Sequence, residues 1–261
     1  MKIVKTDDFD ATLTEYTERL RYRLEMITPA DSPREALVTR DDESVRIIAE
    51  SRDKQTVSGD WIAGRAGMEY FDLIPERLGG KVIASHIRIK NGGPVADYVH
   101  YHRADFQMIF CVAGRIRVVY EDQDAPFWLE PGDCVLQPPE IRHRVLECAA
   151  GSEVIEVSSP AEHETWVDHK MELPTPSVNA ERDFGGQKFL RSDATVAKWR
   201  PSEFKGYEEH DTGIAVASGG FANVCVIRRT DASRDAVLDK PNAHFFPVNE
   251  NETLVVELLR F

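Results

Sequence analysis

The sequence predicts an all-β protein, and three observations carry that reading. From Trp61 the chain breaks into apolar runs of about five to eight residues. Gly, Pro and Asp turn signals separate those runs. The regular spacing of short strands suits a sandwich or small barrel rather than a parallel sheet with crossover helices. Val82–Ile89, Arg115–Tyr120, Cys134–Gln137 and Val154–Val157 each read as a strand.

Ahead of this texture lies a more polar segment. Leu13, Tyr16, Thr17, Leu20 and Leu24 approximate helical spacing, so one amphipathic helix is expected, ending before Thr28-Pro29-Ala30-Asp31 and packing on the barrel exterior. Pro33 to Asp60 is charged, and Val45–Glu50 within it suits either a strand or one helical turn. A length of 261 residues allows one large domain or two small units, and two are expected. The net charge of −13 and the lack of a Lys/Arg-dense stretch exclude a nucleic-acid partner, whose phosphates need clustered positive charge. No apolar run approaches the ~18 residues of a spanning helix. The start Met1–Asp8 does not read as a signal peptide, so no membrane association and a cytoplasmic location are expected. Cys111, Cys134, Cys148 and Cys225 lack C-x-x-C spacing and read as small buried hydrophobes rather than disulfides or thiolate ligands.

The chemistry concentrates between Gly93 and His143. His100 and His102 are two residues apart in a strand-like run, so both rings leave one face, roughly 7 Å apart at the backbone. Gln107 follows five residues later, and His143 arrives from a second segment that opens with the turn Pro131-Gly132-Asp133. Together they make a candidate site of three nitrogens and one oxygen. Strand parity adds Tyr98 to the face of His100 and His102, as a proton donor or a lining aromatic. Parity also adds Ile109 and Cys111 to the face of Gln107, as pocket lining. Arg115, Arg117, Arg142 and Arg144 are either solvated or available to a substrate carboxylate. Phe106, Met108, Phe110 and Val112 point the other way and need cover, from a second sheet or from a subunit.

The pattern Gly93-x6-His100-x-His102-x4-Gln107-x6-Gly114, followed by Gly132-x5-Pro138-x-Glu140-x2-His143, resembles the two signature motifs of the cupin superfamily. The resemblance covers the first barrel and implies a jelly-roll from about Gly59 to Glu164. It also implies one divalent transition metal per chain, with Fe expected and Ni, Zn or Mn as alternatives, held by His100, His102, Gln107 and His143. Three positions depart from the pattern: Gln107 replaces the usual Glu, Glu140 the usual Gly, and Glu147 a frequent Asn. A carbonyl oxygen in place of a carboxylate leaves a divalent ion its full charge, which strengthens it as a Lewis acid and disfavours the ferric state.

Residues 169–190 are Pro- and Gly-punctuated and suit a linker. Beyond them Gly219–Thr230 resembles Gly79–Lys90, and Thr253–Glu257 resembles Ile116–Tyr120, a weak internal repeat similar to a bicupin arrangement. This second copy has Val237–Ala243 where the first has His-x-His, and His244 near the place of Gln107, so no second metal site is expected. The chain reaches Phe261 where the first unit still has its Pro-Gly-Asp hairpin to come. The open edge that results is expected to be covered by the N-terminal segment, the barrel or a partner, unless the natural protein is longer. The expected organisation is an N-terminal helical or extended segment (1–58), a cupin barrel with the metal site (59–168), a linker (169–190) and a degenerate partial cupin unit (191–261).

The resemblance implies a metal-dependent enzyme, an Fe(II)-dependent dioxygenase acting on a small organic substrate, working as a homodimer. Two alternatives stand beside it. One is a non-redox isomerase or lyase acting on a sugar acid or hydroxy acid, with Glu147 or Glu156 as candidate bases. The other is a non-catalytic small-molecule-binding or regulatory cupin.

Overall fold

The computed structural model describes residues 1–30, 32–50, 61–63, 67–230 and 238–260. Its centre is a jelly-roll whose back wall is an antiparallel sheet in the order Leu190–Ser192, Cys134–Leu136, Phe106–Ala113, Ser152–Ser159, Ile83–Ile89, Met68–Asp72 and Ile62–Ala63. The facing sheet runs from Lys2–Thr6 through Glu43–Ala49, Glu35–Arg40, Arg23–Thr28 and Thr165–Val167. It continues with His100–His102, His143–Cys148, Ile116–Tyr120 and Phe127–Leu129. The two inner faces meet over Ile87, Ile116, Val118, Leu129, Val135 and Val154, the apolar floor of the barrel. The expected start of the barrel at residue 59 lies outside the described residues.

The strand Phe106–Ala113 shows why the sheets stack as they do. Its sequence FQMIFCVA lacks the polar alternation of a strand with one wet face, which is the mark of burial on both sides. Gln107, Ile109 and Cys111 turn inward, opposite Ser158, Glu156 and Val154. Phe106, Met108 and Phe110 turn outward, and all three are fully buried. Their cover is a third sheet, in the order Trp199–Pro201, Tyr207–Asp211, Ala222–Arg229, Glu252–Leu258 and Ala243–Pro247. It contributes Val224, Val226, Phe246, Leu254 and Val256 to one continuous core with the barrel. The rings of Phe106 and Phe221 stack with centroids 5.3 Å apart. The outward face is therefore a core between sheets, supplied by the chain itself.

The two Gly-Gly pairs that the sequence aligns both take positive φ. Gly79 and Gly80 take φ of 71° and 93° before the strand Ile83–Ile89, and Gly219 and Gly220 take 62° and 77° before Ala222–Arg229. His244 lies on Ala243–Pro247 opposite Val256, 6.3 Å from the ring of Phe246, and burial lowers its pKa. Val237, the start of the segment aligned with His-x-His, lies outside the described residues.

Two expectations about the flanking segments are corrected. The N-terminal region is mainly strand: the helix is confined to Phe9–Thr14 and a π-helical stretch Glu15–Arg19, and the chain is extended again at Arg23–Thr28. The apolar residues that suggested a longer helix, Leu13, Tyr16, Leu20 and Leu24, do share one cluster, with Val38 and Ile47. Two short helical stretches, the bend after them and one strand deliver them there together, so side-chain spacing alone misjudged the element. The ambiguous Val45–Glu50 falls largely within the strand Glu43–Ala49. Residues 169–190 form a strap rather than a free linker, because Phe184 is buried in the barrel core and Arg182 pairs with Glu121 at 2.6 Å and Asp122 at 2.8 Å. Among the described residues no helix is long and apolar enough to cross a membrane.

Phe110→Ala removes a fully buried ring shared by two sheets, so it should lower stability by about 3–5 kcal/mol, read as a shift of the urea unfolding midpoint.

Candidate metal centre

His100 and His102 come from one short strand, His100–His102, and His143 opens the neighbouring strand His143–Cys148, directly opposite His100. The pairing closes the triangle that the sequence spacing suggested. One ligand-type atom from each histidine falls within 4.8 Å of the others, and all three residues are buried. The ring centroids are 4.3 Å apart for His100 and His143, 5.2 Å for His100 and His102, and 5.3 Å for His102 and His143.

What makes these rings suited to a cation is the set of partners behind them. Nδ1 of His100 lies 2.9 Å from the Tyr98 carbonyl, and Nδ1 of His143 lies 3.0 Å from the Ile141 carbonyl. A carbonyl only accepts, so each Nδ1 carries the proton and each Nε2 is left with a lone pair. The Thr165 hydroxyl lies 3.0 Å from Nδ1 of His102 and can accept from it when the ring takes that same tautomer. Outer hydrogen bonds of this kind orient metal-binding imidazoles and raise their basicity. The donor set thus fits a divalent transition metal. Neutral nitrogens accommodate Fe, Ni, Zn, Cu and Mn, so the donor type does not single out one ion.

Gln107 lines the same cavity, and its Nε2 donates to Glu156 Oε1 at 3.2 Å. That cavity has a volume of about 310 Å³ and is largely apolar away from the histidines, with Ile87, Ile89, Ile109, Val118, Val145 and Val154 on its walls. Tyr98, just ahead of the strand and ring edge to His100 at 5.9 Å, and Ile109 also line it. Cys111 is a correction. It has the inward parity, but two residues further along the strand it is packed in the floor with Ile116, Val135 and Cys148 instead of lining the cavity. Parity fixes the face and not the height. Burial pushes its thiol up to about 12, a core group rather than a nucleophile.

Of the two candidate bases, Glu156 reaches the cavity and Glu147 does not: Glu147 lies on His143–Cys148 opposite Arg117 and Pro94. A second, smaller cavity of about 30 Å³ borders Glu156, Ser85 and His163, room for a single water. None of the four arginines lines the main cavity. Arg142 pairs with Asp168 at 3.2 Å and covers Tyr101, while Arg115 lies 3.6 Å from Glu130 and over Trp128.

Sequence reasoning missed Tyr120, Gln137 and Thr165. Tyr120 lies across from His143, its ring stacked at 5.6 Å, and Gln137 Nε2 donates to its hydroxyl at 3.2 Å. Burial raises the Tyr120 phenol, so it stays protonated. Both residues line the cavity, and strand pairing with the histidine segment would have found Tyr120. Thr165 lies outside both motifs and joins the site only through strand pairing with His102.

The motif turns explain themselves. Gly114 has φ of +65°, and a Cβ there would lie 2.7 Å from Ser152 Cα, so only glycine fits. Glu140 has φ of +60°, a left-handed conformation at the position where the motif usually has glycine. Its backbone N–H donates to the His102 carbonyl at 3.1 Å, and its carboxylate lies 3.5 Å from Arg103.

Three histidines thus converge from two adjacent strands of a jelly-roll in an arrangement that could hold a metal ion. The family described as Cupin domain matches residues 85–157, a span that contains all three histidines and Gln107. That span of the chain is similar to a cupin domain. No curated protein matches the chain. Among solved structures, an RmlC-like cupin from Shewanella frigidimarina is 25% identical over 40% of this chain and 86% of that one, with a TM-score of 0.32. A putative glyoxylate-induced protein from Pseudomonas aeruginosa is 10% identical over 65% and 56%, with a TM-score of 0.41. A point mutant of the Bacillus subtilis oxalate decarboxylase is 11% identical over 79% and 70%, with a TM-score of 0.46.

His143→Ala should abolish uptake of a divalent metal, measured as metal per chain after reconstitution and desalting. Thr165→Val should weaken it roughly 10–100-fold by removing the partner of His102, measured by chelator competition. Burial also raises the thiols of Cys134 to about 12 and Cys148 to about 11. Against an unfolded value of about 8.5, the stability these neutral thiols contribute is complete below that pH and is lost as pH rises towards 12. Ellman's reagent at pH 8 should therefore leave Cys111, Cys134 and Cys148 unmodified until the protein is unfolded.

Proposed function

We propose that the protein is a mononuclear metal enzyme, an Fe(II)-dependent dioxygenase whose substrate is a small, uncharged, largely apolar molecule such as an aromatic diol or a diketone. One observation carries the substrate side of this reading: among the described residues, the cavity beside the three histidines has no Lys or Arg in its lining. An anionic group held against the apolar wall, away from the metal, would need a compensating cation there, and an uncharged body does not. When bound, the metal supplies a site at which two substrate oxygens and dioxygen are brought together.

The chain's own residues supply the rest. His100, His102 and His143 provide neutral nitrogens from one side only, which leaves the cavity side for substrate. Ile109, Val118 and Val145 exclude water and hold an apolar body. The Tyr120 hydroxyl, kept protonated by burial, and the Gln137 amide offer polar groups close to His143.

A second reading rests on Glu156. A carboxylate lining the same cavity suits a non-redox isomerase or lyase, in which Glu156 would take a proton from the carbon next to a substrate carbonyl. Dioxygen uptake separates the two. Fe(II)-loaded protein should consume oxygen with neutral catechols, diketones or thiols, and His143→Ala should not. Absence of uptake across these classes would sink the oxygenase reading. Gln107→Glu should leave a dioxygenase active, whereas an isomerase that depends on a neutral oxygen donor should lose activity.

A further inference from the structure

Gln107 and Glu156 are diagonal neighbours on adjacent antiparallel strands, since Gln107 lies opposite Ser158 and Ile109 lies opposite Glu156. Gln107 is 3% exposed, and its Nε2 is 3.2 Å from Glu156 Oε1, which also accepts from Ser158 Oγ at 3.4 Å. A side-chain amide has two opposite ends. Turned one way it offers a cation a carbonyl oxygen; turned the other way it offers two N–H groups that repel it. The aliphatic side chains beside Gln107, such as Ile109, cannot choose between the two orientations. A carboxylate can, because it accepts and does not donate, and so captures the nitrogen end.

We propose that Glu156 is a positioning residue that sets the polarity of the Gln107 amide, turning Oε1 towards His100, His102 and His143 as a fourth, oxygen donor. This rests on the reading of the histidines as a metal centre. The negative charge that a Glu at position 107 would place on the ion is kept in the cavity, one hydrogen bond further out. The ion then meets four neutral donors while the cavity retains a compensating charge.

The test is a double-mutant cycle read by binding, not turnover. Metal-free protein is titrated with Co(II), following its visible absorption and its affinity in competition with a chromophoric chelator. Glu156→Gln should weaken Co(II) binding roughly 10–100-fold and alter the spectrum. Gln107→Ala should weaken it comparably, and the double variant should bind no worse than Gln107→Ala alone. Glu156→Asp, which keeps the charge and shortens the reach, should behave as Glu156→Gln does and serves as the second variant if that one fails a thermal-melt check. Weakening by Glu156→Gln of equal size with and without Gln107, or wild-type binding by Glu156→Asp, would show that charge alone acts and would overturn the positioning role. Unchanged affinity and spectrum in Glu156→Gln would overturn it too. A wild-type protein that takes up no Co(II) would instead overturn the metal centre itself.

Discussion

The strand Phe106–Ala113 has to satisfy two environments at once. Its inward Gln107 and Ile109 border a cavity with buried polar groups, and its outward residues form the core against the third sheet. Because side chains alternate strictly along a strand, a slip of one residue would exchange the two sets, burying Gln107 among phenylalanines and exposing aromatic rings to the site. The fully buried outward rings therefore do more than stabilise: they lock the register that brings Gln107 beside Glu156, and the continuous ladder to Ser152–Ser159 carries that register across the back wall.

The electrostatics follow from the same placement. Three imidazoles, each with its Nδ1 within hydrogen-bond distance of a neighbouring oxygen, can turn their Nε2 atoms to a cation as neutral donors. Of the two carboxylates that line the cavity, Asp97 lies behind His100, 3.6 Å from its Nδ1, and Glu156 accepts from the Gln107 amide. Such an arrangement favours a divalent ion over a trivalent one, because ligand charge is what stabilises the higher oxidation state. The aliphatic wall opposite sharpens the effect, since low polarity strengthens every remaining charge interaction.

Much of this was legible in the sequence, and the limits have physical causes. His100, His102 and His143 could be read because a two-residue spacing in a strand and a turn-led second segment leave few ways to avoid convergence. The outward aromatics announced a second layer, and the Gly-Gly turns at residues 79–80 and 219–220 announced a repeat. Cys111 was misplaced because alternation carries no information on depth. The N-terminal strands were hidden because Leu13, Tyr16, Leu20 and Leu24 meet in one cluster by a route that mimics helical periodicity. Thr165 was invisible because its contact with His102 spans 63 positions of sequence and depends wholly on sheet pairing.

Glu140 ties the site to the outside of the barrel. Its left-handed backbone aims an amide at the carbonyl of His102, and its exposed side chain faces Arg103, the next residue along. The two segments that bring the histidines together are thus pinned at the rim by one backbone bond and one ion pair in contact with solvent. A glycine would make the same turn with less strain but without the ion pair. The spacing of three buried rings is in this way coupled to a solvent-facing clasp, whose grip varies with the salt around it.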